Sequence, residues 1–430
     1  MEIIKTDVAI IGGGASGLMT AVAIAKANKG CRVLVIEHHQ RTGRKLMATG
    51  NGRCNLTNCN LYANAYYGSA KYYAEKLFNK YSCEYIAEYF EEIGLITKPD
   101  TEGRVYPISN NVASVLDCIR NYIGNRNTKE LCDITVADIV KEKKSYTLDC
   151  GDKKIIAKYV VLACGGMASP KLSTNGYGYK LAKALNIKYA KPVPSLVAVS
   201  CNNKCLTALK GLRIKGSVSL VADDKKIATE NGEIQFGNNA LSGICVFQLS
   251  RMVNEFFEYK AINGKQYNRI SLNIDVMPEY SIEECRSLLF KRIELMAKSP
   301  LESFFDGFLH KRVAQALMQE CNIKAEKRSC STLTKKEIYA MADCLKSWSF
   351  TPSEKSSFEN AQVTAGGVLA DEIDFATMQS KKHNGLYIVG ELVDIDGICG
   401  GYNLHWAWCS GIIAGENIIK NFRGKNDKAK

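Results

Sequence analysis

The chain has 430 residues, of which 46% are hydrophobic and 23% charged, and a formal net charge of +13. This length allows two or three domains with a sizeable core, and the composition is ordinary for a globular protein. No apolar run approaches the ~18 residues of a membrane-spanning helix. Residues Met1 to Thr6 do not resemble a signal peptide. We therefore expect a cytoplasmic protein without a membrane partner.

Cysteine and basic residues are both scattered along the chain. Many of the 17 cysteines have apolar neighbours, as Cys164 and Cys245 do, which favours free thiols in a reducing compartment. No histidine and cysteine spacing is typical of zinc, so no metal site is expected. The basic residues form short separate clusters, which favours a solvated basic surface over a nucleic-acid footprint. An anionic substrate would also fit this charge.

The first part of the chain alternates strand and helix patterns. Apolar runs flanked by turns predict buried parallel strands at Val8 to Ile11, Val33 to Ile36 and Tyr159 to Ala163. Helices are predicted from about Ala15 to Asn28, from Tyr72 to Ile93 and from Val112 to Ile123. The first of these helices joins two strands, so the N-terminus predicts a βαβ unit.

From about Lys191 the pattern changes. Alternating or β-branched residues predict strands at Leu196 to Ser200, Ile214 to Val221 and Ile270 to Val276. Helical spacing then recurs within residues 282–296, 304–317 and 333–348. Glycine-rich sequence resumes at Ala361. We therefore predict a discontinuous domain made of residues 1–190 and 361–430, with residues 191–360 inserted as a separate substrate domain.

The N-terminal glycines form a dinucleotide-binding fingerprint. Gly12, Gly14 and Gly17 follow the first strand and open the first helix. Gly12 permits the tight turn, Gly14 lets the backbone approach a pyrophosphate, and Gly17 allows close helix–strand packing. Glu37 ends the second strand, 20 residues beyond Gly17, where an acid accepts hydrogen bonds from ribose hydroxyls. This pattern predicts FAD or NAD rather than NADP.

The C-terminus supplies the second half of the predicted site. A strand at Leu386 to Val389 leads into Gly390 and Glu391, and Gly400-Gly401 then opens a helix. The glycine pairs at 165–166 and 366–367 lack a third glycine and a following acid, so the sequence holds one such fingerprint. Because an ordinary NAD domain has no use for the C-terminal strand–Gly–Glu pattern, we predict FAD.

These motifs, with several others, resemble the BaiN-like bacterial flavoproteins, a family of NAD(P)/FAD-dependent oxidoreductases and aminoacetone oxidases. The further matching stretches are Gly43 to Leu46, Gly50 to Asn58, Gly103 to Pro107, Ala163 to Gly166, Thr174 to Gly178, Gly232-Glu233, Leu241 to Gly243 and Thr364 to Val368. The chain is more distantly similar to the fumarate reductase and glutathione reductase flavoproteins. This resemblance covers essentially the whole chain.

The resemblance implies an α/β fold in which a split FAD-binding Rossmann-like domain carries an inserted β-barrel and helical subdomain. It places Ala15, Ser16 and Glu37 at the adenosine and pyrophosphate, and the Val136 backbone at the adenine. It implies that the flavin is bordered by Lys45, Gly52, Arg53, Cys54, Asn55 and Gly165. It also places Glu391 on the ribityl chain, and it places Asp396, Gly401, Tyr402, Asn403 and Leu404 at the isoalloxazine. A helix N-terminus aimed at the flavin would stabilise negative charge on reduction and raise its potential. This chain departs from the family pattern at Phe236 to Ile244 and at His405, a position where members of the family often have glutamine.

Three candidate catalytic groups have alternative structural interpretations. His405, near the expected flavin face, could be an acid or base or a hydrogen-bonded core histidine. Cys54 and Cys59 have the spacing of a redox dithiol, which in a cysteine-rich chain could be accidental; Cys54 alone could be a reactive thiol. Asp396 could form an acid pair with Asp394, or both could simply hold the cofactor.

The sequence and the resemblance together predict an FAD-dependent oxidoreductase that exchanges a hydride between flavin N5 and a small organic substrate. In a reductase version, NADH or NADPH docks transiently and an unsaturated substrate is reduced. In an oxidase version, a small amine is the donor and oxygen the acceptor. The remaining hypotheses are a thiol/disulfide oxidoreductase using Cys54 and Cys59, and an RNA-associated flavoprotein. The sequence predicts no particular oligomeric state.

Overall fold

A computed structural model describes residues 1–27, 30–172 and 176–426. Asn28, the predicted end of the first helix, and Thr174-Asn175 of the family motif lie outside the described residues. The chain forms two compact units. We call Met1–Val193 with Gln362–Lys430 the split unit and Pro194–Ala361 the inserted unit. Within the described ranges, no helix combines the length and apolar character that a bilayer crossing requires.

Strands and helices alternate in the first part of the chain and again toward its end. The strands are β1 (Glu2–Ile11), β2 (Val33–Ile36), β3 (Thr57–Asn58), β4 (Tyr66–Tyr67), β5 (Thr97–Pro99), β6 (Arg104–Pro107), β7 (Thr128–Leu131), β8 (Asp138–Lys141), β9 (Tyr146–Asp149), β10 (Lys153–Leu162), β11 (Tyr189–Ser195), β12 (Val199–Ser200), β13 (Arg213–Ala222), β14 (Lys225–Phe236), β15 (Ala240–Ser242), β16 (Ala261–Ile262), β17 (Lys265–Gln266), β18 (Ile270–Asp275), β19 (Trp348–Phe350), β20 (Val363–Val368), β21 (Ile373–Asp374), β22 (Gln379–Ser380), β23 (Leu386–Ile388) and β24 (Asp396–Gly397). The helices are α1 (Ala15–Ala27), α2 (Lys71–Phe78), α3 (Cys83–Glu91), α4 (Val112–Gly124), α5 (Tyr177–Ala184), α6 (Cys205–Leu209), α7 (Ile244–Tyr259), α8 (Ile282–Leu295), α9 (Lys311–Glu320), α10 (Lys335–Lys346) and α11 (Tyr402–Asn426).

The split unit is built on a sheet whose central strands are ordered β7-β2-β1-β10-β23 and run parallel. Val8 of β1 lies opposite Val33 of β2 and Tyr159 of β10. These strands are apolar because helices cover parallel sheets on both faces. Since the strands are parallel, their carboxyl ends meet at one edge of the sheet, where α/β proteins bind their ligands.

Helices α1 and α11 pack closely because small residues line their contact. A methyl group on Gly411 would lie 2.6 Å from the Ser16 carbonyl oxygen, and one on Gly415 would lie 2.6 Å from Ala23 Cβ. Larger side chains would therefore push the helices apart. This contact joins the two ends of the chain into one unit.

Some predicted elements are divided in the structure. The helix predicted from Tyr72 to Ile93 is two helices, α2 and α3, because the Ser82 hydroxyl accepts a hydrogen bond from Tyr85 N–H and caps a new start. The strand predicted from Leu196 to Ser200 is reduced to β12, and Leu196 has a positive φ of 53°. Such a backbone cannot continue a strand.

The helical predictions of the inserted unit are also shortened. Within residues 304–317, α9 begins only at Lys311, after His310 accepts a hydrogen bond from Arg312 N–H. Helix α10 ends at Lys346, and Trp348 already belongs to a strand. The apolar residues that flank each helix keep the helical spacing in sequence, but in the structure they are buried in turns and strands.

The sheet of the inserted unit is ordered β12-β15-β14-β13-β18-β19. A bridge between Cys201 and Pro352 brings the two edge strands together, which closes the sheet into a small barrel and removes its exposed edges. Phe236, Trp348 and Phe350 fill its apolar core. Helices α8, α9 and α10 share a second core. The predicted α/β fold with an inserted barrel and helical subdomain is confirmed.

Candidate cofactor site

The candidate site lies at the carboxyl edge of the parallel sheet. The glycine fingerprint follows β1, Glu37 follows β2, Gly165 follows β10, and Glu391 lies just beyond β23. Val136 is buried in the segment after β7. The parallel topology thus brings together residues that are more than 350 positions apart in sequence.

The three fingerprint glycines have different surroundings. A methyl group on Gly12, whose φ is +109°, would lie 2.3 Å from the Ala163 carbonyl oxygen. One on Gly17 would lie 2.0 Å from the Gly12 carbonyl oxygen, whereas one on Gly14 would meet no described atom within 4 Å. Gly12 and Gly17 are therefore required by packing. Gly14 leaves open space over the start of α1, where a pyrophosphate can approach the helix N-terminus.

Glu37 is a buried acceptor at the adenosine end. Its carboxylate accepts hydrogen bonds from Gly13 N–H at 2.9 Å and His39 N–H at 3.0 Å, and His38 Nδ1 lies 3.0 Å away. Burial alone would raise the pKa of Glu37, but these hydrogen bonds hold it below its ordinary value. An ionised carboxylate in this place suits ribose hydroxyl donors. Ile134 N–H donates to the Glu37 carbonyl oxygen and so places the segment that contains Val136 beside it.

The fingerprint is held against the C-terminal strand. A methyl group on Gly390 would lie 2.4 Å from Ser16 Oγ, so glycine is needed for this close approach. Gly390 N–H donates to Ser410 Oγ at 2.9 Å, and Trp406 Nε1 donates to the Gly390 carbonyl at 3.0 Å. Ala15 precedes Ser16 at the start of α1. The two chain ends thus form one wall of the site.

An ion pair occupies the middle of the site. Lys45 Nζ lies 2.7 Å from Glu391 Oε2, and Thr364 N–H donates to Glu391 Oε1 at 2.8 Å. The Thr364 hydroxyl in turn accepts from the N–H groups of Met167 and Ala168 at 2.8 and 2.9 Å. Both charged side chains remain partly exposed, so a ligand can contact them. A cation and an anion here suit a pyrophosphate and the hydroxyls of a sugar chain.

The far end of the site contains a polar atom without a partner. Asn55 Oδ1 is buried and has no hydrogen-bond partner within the described ranges. A methyl group on Gly401, whose φ is +101°, would lie 2.9 Å from this oxygen and 2.6 Å from the Thr57 carbonyl oxygen. An orphaned buried acceptor calls for a donor, and the N–H of a flavin pyrimidine ring would satisfy it. The residues present therefore fit FAD along the whole edge.

The turn before α11 is fixed by side-chain hydrogen bonds. Asn58 Nδ2 donates to the Gly400 carbonyl at 2.8 Å, and Asn403 Oδ1 accepts from Gly397 N–H at 2.8 Å. The Tyr402 carbonyl accepts from Tyr66 Oη at 2.7 Å. Leu404 is half-buried in the first turn of α11. These contacts fix the backbone from which α11 begins.

Asp396, Gly52 and Arg53 lie on segments that flank this turn. Asp396 is buried in β24, which pairs with β4 opposite Tyr67. Gly52 has a φ of +81°, and a methyl group on it would meet no described atom within 4 Å. The Arg53 guanidinium lies 4.5 Å from the centre of the Tyr106 ring. Gly52 leaves room for a ligand, Asp396 is enclosed within its strand pairing, and Arg53 is partly occupied by a cation–π contact.

The structure places His405 in the core. Its Nδ1 lies 2.8 Å from Thr57 Oγ1, its Nε2 lies 3.4 Å from Cys409 Sγ, and its ring meets Phe78 edge-on at 5.3 Å. The side chain is fully buried. Burial lowers the pKa of His405 to about 4. This environment favours the hydrogen-bonded core histidine over the acid–base role, because an enclosed imidazole with a lowered pKa is poorly placed to exchange a substrate proton.

We expect His405 to make the protein sensitive to acid. Its pKa is about 4 when folded and 6.5 ordinarily, so from pH 6.5 down to 4 the unfolded chain binds a proton that the folded chain does not. Stability is fully present above pH 6.5 and falls as the pH drops to 4, by up to ~3 kcal/mol from this group. Urea unfolding of the wild type and His405→Asn at pH 7 and pH 5 measures the difference. Equal losses in both proteins would contradict it.

The structure does not support Cys54 and Cys59 as a dithiol. Cys54 is buried, and burial raises the pKa of its thiol to about 12. Cys59 is exposed, and its Sγ lies 2.9 Å from Cys83 Sγ instead. Spacing in sequence did not reveal this partner, because Cys83 is brought close by the start of α3. A reactive thiolate at Cys54 is likewise disfavoured.

Sequence reasoning missed several groups that shape the site. Thr364 and Asn58 lie inside the family motifs, but nothing in the sequence indicates their hydrogen bonds to the 167–168 backbone and to Gly400. Ser410 and the Trp406 indole both hold Gly390 from within α11. The signal that could have found them is their helical spacing of four residues, which puts both on one face of α11.

Comparison with known proteins shows the family to which this chain belongs. A family model described as the HI0933-like protein Rossmann domain matches residues 6–417. The chain is 32% identical over 408 residues to a 3-dehydro-bile acid delta(4,6)-reductase of Clostridium scindens, covering 95% of this chain and 98% of that protein. It is 26% identical over 422 residues to a ribosomal RNA dihydrouridine synthase of Escherichia coli, covering 96% and 98%.

A solved structure supports the fold. The match to an E. coli quinol fumarate reductase FrdA variant covers 99% of this chain and 72% of that protein's chain, with a TM-score of 0.51 and 14% identity. At that identity the likeness shows the fold alone.

Proposed function

We propose a reaction for this chain, which belongs to the HI0933-like family and is an FAD-dependent oxidoreductase. In the proposed reaction, the protein reduces a carbon–carbon double bond that is conjugated to a carbonyl group. The resemblance to the BaiN-like flavoproteins is confirmed by the family match and by the bile acid reductase relative. The choice of substrate bond, the hydride transfer and the electron donor belong to the proposal.

One observation carries the proposal: relatives with unrelated substrates have names that describe the same bond change. A delta(4,6)-reductase of a 3-dehydro-bile acid saturates double bonds in conjugation with a 3-oxo group. Dihydrouridine is uridine whose C5–C6 bond, conjugated to the C4 carbonyl, has been saturated. Both relatives match nearly the whole chain. The shared bond change therefore supports the proposed reaction of this chain more strongly than it supports either substrate.

FAD, when bound and reduced by the electron donor, would supply a hydride from N5 to the electron-poor carbon of such a bond. In this proposal Glu37 and the fingerprint hold the adenosine end, while Lys45 and Glu391 hold the middle of the cofactor. Asn55, Asp396 and the Gly401 turn orient the ring end. The N-terminus of α11, presented by that turn, favours negative charge near the ring. No side chain of the site is assigned the final proton transfer, since His405 and Cys54 are enclosed.

We propose NADH or NADPH as the electron donor, docking transiently because the sequence has one dinucleotide fingerprint and FAD takes it. Anaerobic addition of either nucleotide to the FAD-loaded protein is expected to bleach the flavin absorption band within seconds to minutes. Dithionite serves as the control for reducible flavin. If dithionite bleaches the band and neither nucleotide does, this donor is wrong, and small amines under oxygen become the donors to test.

A second candidate substrate is a uridine in RNA; the net charge of +13 is compatible with a polyanion, although the basic residues form short separate clusters. The relative in E. coli carries this activity in its name. Protein reduced with dithionite and freed of excess reductant can be offered, without oxygen, a 3-oxo-4,6-diene steroid or unmodified ribosomal RNA. Flavin reoxidation with saturated steroid supports the small-molecule version, and reoxidation with dihydrouridine supports the RNA version. Reoxidation by neither, with rapid reoxidation by oxygen, would favour an oxidase.

A further inference from the structure

Two thiols that the proposed reaction does not use face each other in the split unit. Cys59 Sγ and Cys83 Sγ are 2.9 Å apart, within about 1 Å of the ~2.05 Å length of a disulfide bond. Cys59 is exposed, whereas Cys83 is buried. We propose that Cys59 and Cys83 form a reversible disulfide, with Cys59 as the thiol that meets the oxidant.

Both sulfurs are carried by ordered backbone. Cys59 directly follows β3, and its N–H donates to the Gly103 carbonyl at 2.7 Å. Cys83 is the first residue of α3, whose start is fixed by the Ser82 cap. The thiols therefore do not depend on a loop closure to meet. Bond formation needs a shift of the side chains rather than a rearrangement of the fold.

The chemistry requires an oxidant, and a small-molecule disulfide such as glutathione disulfide supplies it. The Cys59 thiolate attacks one sulfur of the small disulfide, forming a mixed disulfide and releasing one small thiol. Cys83 then attacks Cys59 Sγ, which forms the internal bond and releases the second thiol. The protein loses two electrons and two protons, and the small disulfide takes them up as two thiols. The second step is intramolecular and is favoured by proximity.

The location connects the pair to the cofactor site. The residues on either side of Cys59 contact the turn before α11: Asn58 Nδ2 donates to the Gly400 carbonyl, and Tyr402 Oη donates to the Asn60 carbonyl at 2.8 Å. A disulfide would join α3 covalently to this strand end. It would close a loop between positions 59 and 83 and restrict the unfolded chain.

The test uses FAD-loaded full-length protein incubated with glutathione disulfide under native conditions. Remaining thiols are blocked with N-ethylmaleimide, and unreduced peptides are mapped by mass spectrometry. We expect a peptide that links Cys59 to Cys83 to dominate, to disappear with dithiothreitol, and to raise the midpoint of thermal unfolding by ~5 °C. Cys321 and Cys344, whose thiols also hydrogen-bond, are mapped separately.

Two variants control the assignment. Cys59→Ser alters an exposed side chain and should abolish the link and the shift in unfolding midpoint. Cys118→Ser removes a partly exposed thiol that contacts the Gly94 carbonyl rather than a sulfur, and it should retain both. A stable glutathione adduct on Cys59 with no link to Cys83 would overturn the proposal, as would full alkylation of both thiols.

Discussion

Replacing Gly14 with alanine is expected to weaken FAD binding ~100-fold while leaving the fold intact, which corresponds to ~2.7 kcal/mol of binding free energy. The added methyl group meets no described atom within 4 Å, so the apoprotein has room for it. That open space is where we place the pyrophosphate, and a methyl group there would hold the phosphate away from the N–H groups of α1. Fluorescence titration of apoprotein with FAD measures the dissociation constant.

Gly17→Ala is the matched control, three positions away in the same motif. Its methyl group would lie 2.0 Å from the Gly12 carbonyl oxygen, so the turn or the helix must move, at a cost of ~2–3 kcal/mol in unfolding free energy. Urea unfolding of both apoproteins should show this loss for Gly17→Ala and a loss below ~1 kcal/mol for Gly14→Ala. If Gly14→Ala binds FAD like the wild type, the proposed pyrophosphate position is wrong.

The contrast between these glycines shows why the adenosine end was accessible from sequence. A short motif contains its own geometry: strand, turn and helix follow one another, and Glu37 arrives on the next strand. The hydrogen bond from Gly13 to Glu37 is therefore a local consequence of one βαβ unit. The parallel sheet itself followed from apolar runs separated by helices, for the same reason.

The far end of the site was less accessible because it depends on contacts between distant segments. His405 was predicted near the flavin face from its place in a motif, yet its side chain points to Thr57 and is enclosed by Phe78. The position of His405, four residues after Gly401, could be located by sequence, but the face of α11 on which it lies could not. The break between α2 and α3 had the same origin, since apolar spacing ran across Ser82 without revealing its cap.

Glu391→Ala is expected to weaken FAD binding by ~100-fold, the second large effect. The glutamate carboxylate accepts from Lys45 at 2.7 Å and from Thr364 N–H at 2.8 Å. Alanine leaves the lysine without this partner and the Thr364 N–H unsatisfied. Glu391→Gln can keep an oxygen toward Thr364 but loses the negative charge, so a smaller effect of ~10-fold is expected. The same FAD titration, extended over a range of salt concentrations, measures both.

Lys45→Met separates a direct role of Glu391 from one exerted through the lysine. It removes the cation while keeping most of the apolar stem, and it leaves the Thr364 hydrogen bond in place. If Glu391 contacts the cofactor itself, combining Lys45→Met with Glu391→Gln should weaken binding beyond either single change. If Glu391 only positions Lys45, the double variant should match Lys45→Met, since coupled residues are not additive. If Glu391→Ala binds FAD as tightly as the wild type does, the ion pair is not part of the cofactor site.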